Sequence, residues 1–312
     1  MVNGPIFIVG AARSGTTLLQ YMLKSHPDLS LPTAESHFFI PFYQRRTEFG
    51  DLSDLGALTR LLEAIYDSRK IFFDEDVHGI RFNAETLAKR FHTRQLTSVP
   101  EVIDGIFEAN AESEGKRRWG DKTPYYILHM ETLLEMFPNA QFVHIIRDGR
   151  DCALSMLERK WDLEIFNTYH AAYTWNKYVN AGKAFGAKYP NIYHEVYFES
   201  LLNEPEQTVD SLCRFLNIEF NERVIEFKKS NGSGKTQLLT QPLQKSNQGK
   251  WREQMSPRQI RIFEALAGET LSACGYSLVN KTPQVNSIDW FINELHIKAC
   301  HAYCRRFLKK KR

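Results

Sequence analysis

A glycine-containing turn near the start of the chain has the residue types of an anion site. Residues 10–17 read Gly-Ala-Ala-Arg-Ser-Gly-Thr-Thr, after an apolar run at residues 5–9 and before a helical pattern. Successive backbone N–H groups in such a turn converge, and the following helix adds partial positive charge at its N-terminus. The spacing of the two glycines is that of a P-loop, but Thr16 stands where a nucleoside triphosphatase needs lysine, and the cation is Arg13 instead. The turn therefore suits a short 5′-phosphate group and can work without a metal ion.

A second turn has the same context. Residues 141–146 form another apolar run, and Arg147 follows where a parallel strand would end, which is the edge at which open α/β sheets bind ligands. Ser155 lies about two turns into the next helix, and a guanidinium matches a phosphate with two hydrogen bonds. Both side chains could therefore close on one phosphate. The alternative is a surface ion pair of Arg147 with Asp148 or Asp151 and a solvent-facing Ser155.

The elements that must position these turns alternate along the chain. Apolar runs predict parallel strands at residues 5–9, 141–146 and 192–196. Helical periodicity marks residues 16–25, 52–66, 99–111, 125–137, 169–188 and 206–216. This alternation predicts an α/β, P-loop-like three-layer fold, in which a central parallel sheet is flanked by helices. We expect one domain over residues 1–285, followed by an amphipathic, basic C-terminal helix or tail at residues 286–312.

The C-terminal segment leaves two interpretations open. Its apolar residues recur at roughly helical spacing, namely Ile288, Phe291, Leu295, Ala302 and Phe307, and residues 305–312 are mostly lysine and arginine. One interpretation is a packed helix with a solvated basic end. The other is peripheral contact with an anionic membrane, where each basic residue near the surface adds about 1 kcal/mol.

Composition narrows the function classes. The 312 residues carry a formal net charge of only +3, so no nucleic-acid partner is expected. The five cysteines are scattered and odd in number, which is typical of reduced thiols in a cytosol-like compartment. No apolar run approaches the roughly 18 residues that cross a bilayer, and the first apolar run is interpreted as a core strand rather than a leader. We therefore expect a cytoplasmic protein.

The two turns resemble the donor-binding segments of sulfotransferases that use 3′-phosphoadenosine 5′-phosphosulfate (PAPS). The first turn is similar to the loop that binds the 5′-phosphosulfate, and the second to the segment that binds the 3′-phosphate. The resemblance implies donor contacts by Arg13, Ser14, Gly15, Thr16 and Thr17 in the first turn, and by Arg147 and Ser155 in the second. It also implies adenosine 3′,5′-bisphosphate (PAP) as the product and no requirement for a metal ion.

Two later segments extend the resemblance. Residues 193–201 are similar to the family's tyrosine-bearing segment, which implies that Tyr197 holds the adenosine, although Phe and Glu follow where the family usually has Glu and Asp. Residues 245–252 are similar to the Gly-x-Trp loop that folds over the 3′-phosphate. That loop implies donor contacts by Lys245, Ser246, Gly249, Lys250 and Trp251. It lacks the Arg-Lys-Gly lead-in of cytosolic phenol enzymes and fits the branch that sulfates protein tyrosine and carbohydrate.

The same branch implies the catalytic groups. Glu35 falls where its members carry a catalytic glutamate, and His37 is close enough to be the rival base. Lys122, in a Lys-x-Pro segment, would stabilise charge on the sulfate and the leaving group together with Arg13. Sulfuryl transfer resembles phosphoryl transfer, with in-line attack and a loose transition state. The apolar residues 38–40 are expected to raise the pKa of the base towards working pH.

Two other functions compete with sulfuryl transfer. One is a P-loop nucleotide kinase, against which the missing lysine argues; a Walker-like stretch at residues 232–236 lacks both the earlier glycine and a preceding strand. The other is a non-catalytic PAP- or PAPS-binding protein, against which Glu35 and Lys122 argue. The acceptor remains open between a glycan, a glycolipid, a tyrosine and a small metabolite, through a hydroxyl or an amine. The glutamate base and the basic tail favour carbohydrate or lipid-linked acceptors.

Overall fold

The centre of the molecule is a parallel sheet of five strands. The structure, a computed structural model, describes residues 4–75, 79–226 and 245–308. The strands are β1 (Ile6–Gly10), β2 (Leu29–Ser30), β3 (Arg118–Lys122), β4 (Gln141–Ile146) and β5 (Tyr193–Tyr197). Their order is β2-β3-β1-β4-β5 and every pairing is parallel. In this register Ile8 lies opposite Lys122 on one side and Val143 on the other, so the ends of β3, β1 and β4 meet at one edge of the sheet.

Helices cover both faces of this sheet. In chain order they are α1 (Thr16–Lys24), α2 (Phe39–Gln44), α3 (Leu55–Ser68), α4 (Ala84–Thr93), α5 (Val99–Ser113), α6 (Met130–Met136), α7 (Gly149–Glu158), α8 (Lys160–Leu163), α9 (Thr168–Lys188), α10 (Phe198–Asn203), α11 (Pro205–Leu216), α12 (Trp251–Gln254), α13 (Pro257–Ala273) and α14 (Ser287–Tyr303). Short 3₁₀ segments occur at Arg46–Phe49, Pro124–His129, Pro190–Ile192, Glu222–Val224 and Lys245–Asn247, and π turns at Ile71–Glu75 and Cys304–Leu308.

Alternate residues of β1 enter two different cores. Phe7 and Val9 belong to a large aromatic cluster on one face, whereas Ile6 and Ile8 belong to an aliphatic cluster on the other. All of these side chains are fully buried, as expected of a strand in the middle of a parallel sheet covered on both faces. The predicted α/β, P-loop-like architecture with a flanked central sheet is therefore confirmed.

Strand β3, like the short strand β2, is an element that hydropathy did not predict. Its sequence, Arg-Trp-Gly-Asp-Lys, is mostly polar, yet every residue is buried. The Arg118 guanidinium makes this tolerable because it donates to Gly4 O, Leu216 O and Gln141 Oε1 at 2.6–2.7 Å. A buried guanidinium whose N–H groups have three acceptors is tolerated inside the protein. Because the strand is buried through such polar contacts, its sequence shows no apolar periodicity. Lys122 thus ends a strand rather than lying in a turn.

The starts of the helices differ in how they are capped. Helix α5 begins with a capping box, in which Ser98 and Glu101 exchange hydrogen bonds between side chain and backbone. Helix α1, in contrast, follows Gly15 with no side-chain cap. Its first N–H groups are therefore left for another acceptor, as an anion site at this position needs.

The C-terminal helix α14 lies beside α9 and is fixed by one buried carboxylate. Asp289 accepts hydrogen bonds from Arg258 and Arg261 of α13. The helix starts at Ser287, next to the expected boundary at residue 286, but the division into residues 1–285 and 286–312 stays a prediction. Residues 309–312 and the Walker-like stretch 232–236 lie outside the described residues. Within the described ranges, no helix combines the length and apolar character needed to cross a membrane.

Candidate active site

The first turn is shaped by backbone conformations that favour glycine. Gly15 has φ 102°, and a Cβ placed on it would come within 2.5 Å of the Phe198 ring. Ser14 closes the turn because its Oγ donates to Ala11 O at 2.7 Å. Arg13 has φ 68°, which is uncommon for a residue with a side chain. The turn is therefore held in one strained shape, and helix α1 starts directly after it at Thr16.

The structure brings the two predicted turns together. Arg13 Nε donates to Ser155 Oγ at 2.8 Å, and Arg147 Nη1 donates to Arg13 O at 3.3 Å. Burial, followed by the nearby charges of Arg159 and Arg147, lowers the pKa of Arg13 from its ordinary value. The Arg13–Ser155 bond joins residues 142 apart in sequence, and together with the Arg147 bond to the Arg13 carbonyl it brings the two turns into contact. Such a cluster has an excess of donors and positive charge, which is the chemistry that a phosphate needs.

The Arg147 guanidinium has one N–H that no described residue accepts from. Its Nη2 donates to Asn247 O at 2.6 Å, and its guanidinium carbon lies 4.5 Å from the centre of the Phe198 ring. Its Nε is buried and has no hydrogen-bond partner among the residues that the structure describes. A buried N–H without an acceptor is unfavourable by about 1–3 kcal/mol unless a ligand accepts from it. Arg147 thus fits a phosphate oxygen.

The expected catalytic side chains meet at the end of β3. Lys122 Nζ donates to Glu35 Oε1 at 2.8 Å, and His37 Nε2 lies 2.9 Å from Glu35 Oε2. The Glu35 side chain is 36% exposed and that of Lys122 only 5%, so the pair lies between the buried end of β3 and the surface, with both carboxylate oxygens hydrogen-bonded. A base, a rival base and a cation therefore form one connected group.

The expected rise in the pKa of Glu35 is wrong. Burial does raise the pKa of Glu35, but the Lys122 charge and the hydrogen bonds from His37 and Lys122 outweigh it and lower the pKa to about 2. The apolar residues 38–40 do not surround the carboxylate, because they are buried in the aromatic core. Glu35 is consequently ionised at neutral pH in the structure described.

A buried network of hydroxyls holds the segment that carries Glu35. Ser36 N donates to Thr123 Oγ1 at 3.0 Å, and the Ser36 and Tyr126 hydroxyl oxygens are 3.0 Å apart. From the other side, Arg69 Nη2 donates to Glu35 O at 3.2 Å. These contacts fix Glu35 by its neighbours and its own backbone. Sequence patterns did not point to Arg69, since its contact is with a main-chain carbonyl.

Asp121 lies beside Lys122 in sequence but on the buried side of β3. It is 1% exposed, and neither carboxylate oxygen has a hydrogen bond of ordinary geometry within the described part of the chain. Burial raises the pKa of Asp121 to about 6, although the nearby hydroxyls of Thr123 and Ser36 and the charge of Lys122 offset part of that effect. It is therefore a buried carboxyl that loses its proton at a higher pH than an exposed aspartate does, and it does not line the open site.

The two later segments that the resemblance assigned to the donor lie near the second turn, since Asn247 O accepts from Arg147. Tyr197 ends β5, is half-buried, and donates from its hydroxyl to Glu195 Oε2 at 3.2 Å. Gly249 has φ 73°. The remaining expected contacts divide by exposure: Trp251 is buried, whereas Lys245, Ser246 and Lys250 are exposed. Lys250 Nζ donates to Asn247 Oδ1 at 2.8 Å.

Acidic residues after Arg147 matter more than the sequence indicated. The pair of Arg147 Nη2 with Asp151 Oδ2 exists at 3.7 Å, but it is buried rather than a surface ion pair. Asp148 accepts from Arg150, which also donates to Glu264 Oε1 at 2.7 Å and lies 3.6 Å from the centre of the Trp251 ring. The alternating charges in this stretch gave no sign of burial, so sequence reasoning missed Arg150.

The fold and the site together define a class of protein. A parallel sheet whose neighbouring strand ends carry two contacting turns rich in hydrogen-bond donors has the general form of an anion-binding edge, and the Glu35–Lys122 pair lies at the end of the adjacent strand β3. The model of the "Sulfotransferase family" matches residues 5–222. The chain therefore belongs to the sulfotransferase family, a family of transferase enzymes, which confirms the assignment made from the motifs.

Curated relatives share the sequence at low identity. A protein-tyrosine sulfotransferase of Drosophila melanogaster is 23% identical over 304 residues, covering 93% of this chain and 55% of that protein. Protein-tyrosine sulfotransferase 1 of Danio rerio is 25% identical over 236 residues, covering 73% of this chain and 57% of that protein. The chain thus spans little more than half the length of these relatives.

Solved structures confirm the fold. The sulfotransferase domain of the Synechococcus PCC 7002 olefin synthase superposes with a TM-score of 0.57 at 21% identity, covering 88% of this chain and 95% of that one. A sulfotransferase domain from the curacin biosynthetic pathway gives 0.56 at 23% identity, with 88% and 98% coverage. Both likenesses concern the architecture.

Proposed function

We propose that the protein transfers a sulfuryl group from PAPS to a hydroxyl or amine. The observation that carries this proposal is the contact of the two turns, in which Arg13, Ser155 and Arg147 form one cluster of donors. A nucleotide phosphorylated at both ends of its ribose needs two anion sites at a short, fixed separation. The uncapped start of α1 and the unpaired Arg147 Nε fit those two ends.

The donor-binding roles follow from position. The N–H groups at the start of α1, with Arg13, bind the 5′ end, and Arg147 with Ser155 binds the 3′-phosphate. Lys245, Ser246, Gly249, Lys250 and Trp251 belong to the segment proposed to cover the 3′-phosphate, and Tyr197 to hold the adenosine. PAPS supplies the sulfuryl group and a 5′-phosphate leaving group, whose developing charge Arg13 and Lys122 stabilise. No metal ion takes part in these roles.

We assign Glu35 as the base and His37 as its rival. A carboxylate with a pKa of about 2 is a weak base while Lys122 is paired with it. If Lys122 turns towards the negative charge of the donor, Glu35 loses its strongest counter-charge and its burial then raises the pKa. Donor binding would thus make Glu35 a stronger base at the moment when an acceptor proton must be removed.

The test is transfer of labelled sulfate from PAPS with the wild type, Glu35→Gln, Lys122→Ala and the exposed control Glu48→Gln. The first two variants should lose transfer by at least about a hundredfold while still binding PAP, because base and cation act in the transition state. The control should behave as the wild type. Transfer of phosphate from ATP that needs a metal ion would favour the kinase, and PAP binding without any transfer would favour the non-catalytic protein. EDTA should leave sulfate transfer unchanged.

For the acceptor, we propose several chemical classes and not a single compound. The relatives named above are protein-tyrosine sulfotransferases, so a tyrosine hydroxyl in a peptide belongs in the acceptor panel. The glutamate base and basic tail favour a carbohydrate or a lipid-linked glycan, and small metabolites complete the panel. Incorporation of label into one class, and its absence from the others, identifies the acceptor.

We also propose that α14 contacts an anionic membrane from the cytoplasmic side. Ile288, Phe291, Ile292 and Leu295 share one face of the helix and are 50–71% exposed. Arg305 and Arg306 follow and are exposed, and the sequence ends with four more basic residues. An apolar stripe flanked by cations complements a bilayer with anionic headgroups.

Vesicle binding by the full chain tests this contact. Vesicles with anionic phosphatidylglycerol should bind the chain, neutral phosphatidylcholine vesicles should not, and Phe291→Glu should abolish binding. Phe220→Glu, an exposed phenylalanine outside this helix, is the matched control. Equal binding by all proteins, or a dimer in gel filtration that Phe291→Glu dissociates, would overturn the proposal, and the dimer would identify a second copy as the partner.

A further inference from the structure

The segment that carries the late Gly-x-Trp motif is tied to the second turn by one carboxylate. Asp151 Oδ2 accepts from Gly249 N at 2.6 Å, and Asp151 Oδ1 accepts from Trp251 N at 2.9 Å. The carboxylate is 1% exposed, and these bonds join residues about 100 apart in sequence. Two main-chain N–H groups bonded to one buried carboxylate are charge-assisted and geometrically specific.

Two further contacts fix the same segment, but in different ways. Arg147 donates to the carbonyl of Asn247, and the Arg150 guanidinium lies over the Trp251 ring. Arg147 is itself an expected ligand of the 3′-phosphate through its Nε, so it serves both the nucleotide and the Asn247 carbonyl. The Asp151 carboxylate only accepts hydrogen bonds, as a phosphate does, so it is not an expected ligand of the nucleotide.

A carboxylate next to a phosphate site needs a physical reason to be there. An unneutralised Asp would repel the anion, at a distance where burial strengthens the effect. Here the two N–H groups and Arg147 Nη2, 3.7 Å away, balance its charge. Its position in the first turn of α7 adds favourable helix-dipole interaction. The Asp151 carboxylate therefore binds the backbone N–H groups of Gly249 and Trp251 and is not a ligand of the anion.

We propose that Asp151 is a positioning residue, which holds the backbone of residues 249–251 against the 3′-phosphate site. The inference rests on the proposed function, because the nucleotide is the ligand that this arrangement serves. Loss of the carboxylate frees the segment and removes the negative charge 3.7 Å from Arg147 Nη2, while the Arg147 bonds to Arg13 O and Asn247 O remain. The 3′-phosphate then loses contacts that the 5′ end keeps.

Two nucleotides and two variants test the proposal. Calorimetry with PAP and with adenosine 5′-phosphate, which lacks the 3′-phosphate, measures the two ends separately for wild type, Asp151→Asn and the control Asp210→Asn. Asp210 is on α11, where it pairs with Arg214 at the surface, so the charge change is matched. For Asp151→Asn we expect PAP affinity to fall about tenfold or more, as for one lost charge-assisted hydrogen bond, and affinity for adenosine 5′-phosphate to change less than about twofold.

The enzymatic readout separates positioning from catalysis. For Asp151→Asn the KM for PAPS should rise by about the same factor as the PAP dissociation constant, with little change in kcat at saturating donor. Equal losses for both nucleotides, or unchanged affinity for PAP, would overturn the inference. A wild type that binds neither nucleotide would instead overturn the proposed function.

A measurement on the wild type covers the case in which the variant does not fold. The N–H groups of Gly249 and Trp251 should exchange slowly with deuterium in the ligand-free protein, because Asp151 accepts from both. PAP should slow their exchange further, while adenosine 5′-phosphate has a smaller effect. Exchange at the rate of an unstructured peptide would show that the carboxylate does not hold the segment.

Discussion

The two anion-binding turns are built by different physical means. The first relies on backbone shape, with Gly15 at φ 102° against the Phe198 ring and a hydroxyl closing the turn. The second relies on buried charge, with Arg147 and Arg150 paired to Asp151 and Asp148. An anion site can therefore be built either from a strained main chain or from a balanced set of buried ions. The two designs should fail in different ways.

The largest effect is expected where the second turn loses a buried cation. Arg150→Met leaves the carboxylates of Asp148 and Glu264 without their shared partner, at a position only 1% exposed. Removing one partner of a buried ion pair destabilises by about 3–5 kcal/mol. Urea unfolding at pH 7 measures the loss, with Arg159→Met as control, because the Arg159 side chain is 39% exposed where it pairs with Asp162. A loss below about 1 kcal/mol would contradict the view that charge holds this turn.

The first turn should fail through shape instead. Gly15→Ala places a Cβ within 2.5 Å of the Phe198 ring at a strained φ, and together these should destabilise the protein by about 3 kcal/mol. Gly115→Ala is the matched control, since it has φ 68° and nothing within 4 Å of the new Cβ. The control should lose only about 1 kcal/mol. Equal losses for the two variants would mean that dihedral strain alone, and not the ring, excludes a side chain from residue 15.

The buried carboxyl of Asp121 adds a pH-dependent test of how this protein tolerates buried charge. The pKa of Asp121 in the folded protein, about 6, lies above its unfolded value of 3.8, so its contribution to stability is full below about pH 4 and lost as pH rises through 6. That loss is on the order of 2–3 kcal/mol. Asp121→Asn removes the charge and should flatten the dependence of the unfolding free energy on pH between 4 and 7. Urea titrations of the wild type and of Asp121→Asn at pH 4.5 and 7.5 give the change of the unfolding free energy with pH for each protein. Equal changes in the two proteins would refute the effect.

The smallest effect is expected when charge is kept and shape is changed. Arg147→Lys retains the cation but cannot donate to Asn247 O and a phosphate in the geometry of a guanidinium. PAP affinity should fall about tenfold, or 1.4 kcal/mol, with stability nearly unchanged. Calorimetry measures the affinity, with Lys177→Arg as a control exchange elsewhere. Full affinity in Arg147→Lys would show that charge alone suffices in the second turn.

Local patterns made the two turns predictable. Each turn joins an apolar strand to a helix within about 15 residues, so periodicity and glycine spacing were enough to place Arg13 and Arg147 at the sheet edge. The contact between their residues then followed from β1 and β4 being neighbours. This part of the site depends on topology that the alternation of strands and helices already indicates.

Other parts depend on contacts that sequence does not record. Strand β3 was missed because the partners of Arg118 come from three distant segments, and the bonds of Asp151 reach a segment 100 residues away. The sign of the pKa shift of Glu35 was wrong because Lys122 approaches from another strand. In each case the deciding interaction is a long-range pairing of charges rather than a repeated pattern along the chain.

The Phe198 ring packs against both turns. The ring excludes a side chain at Gly15 and lies under the guanidinium of Arg147. Both turns therefore contact the same aromatic side chain. A smaller residue at 198 would make room for Gly15→Ala but would remove the ring face from Arg147. Tolerated changes at residues 15, 147 and 198 should therefore arise in combination, and a saturation library over these three positions would recover pairs that single-site screens reject.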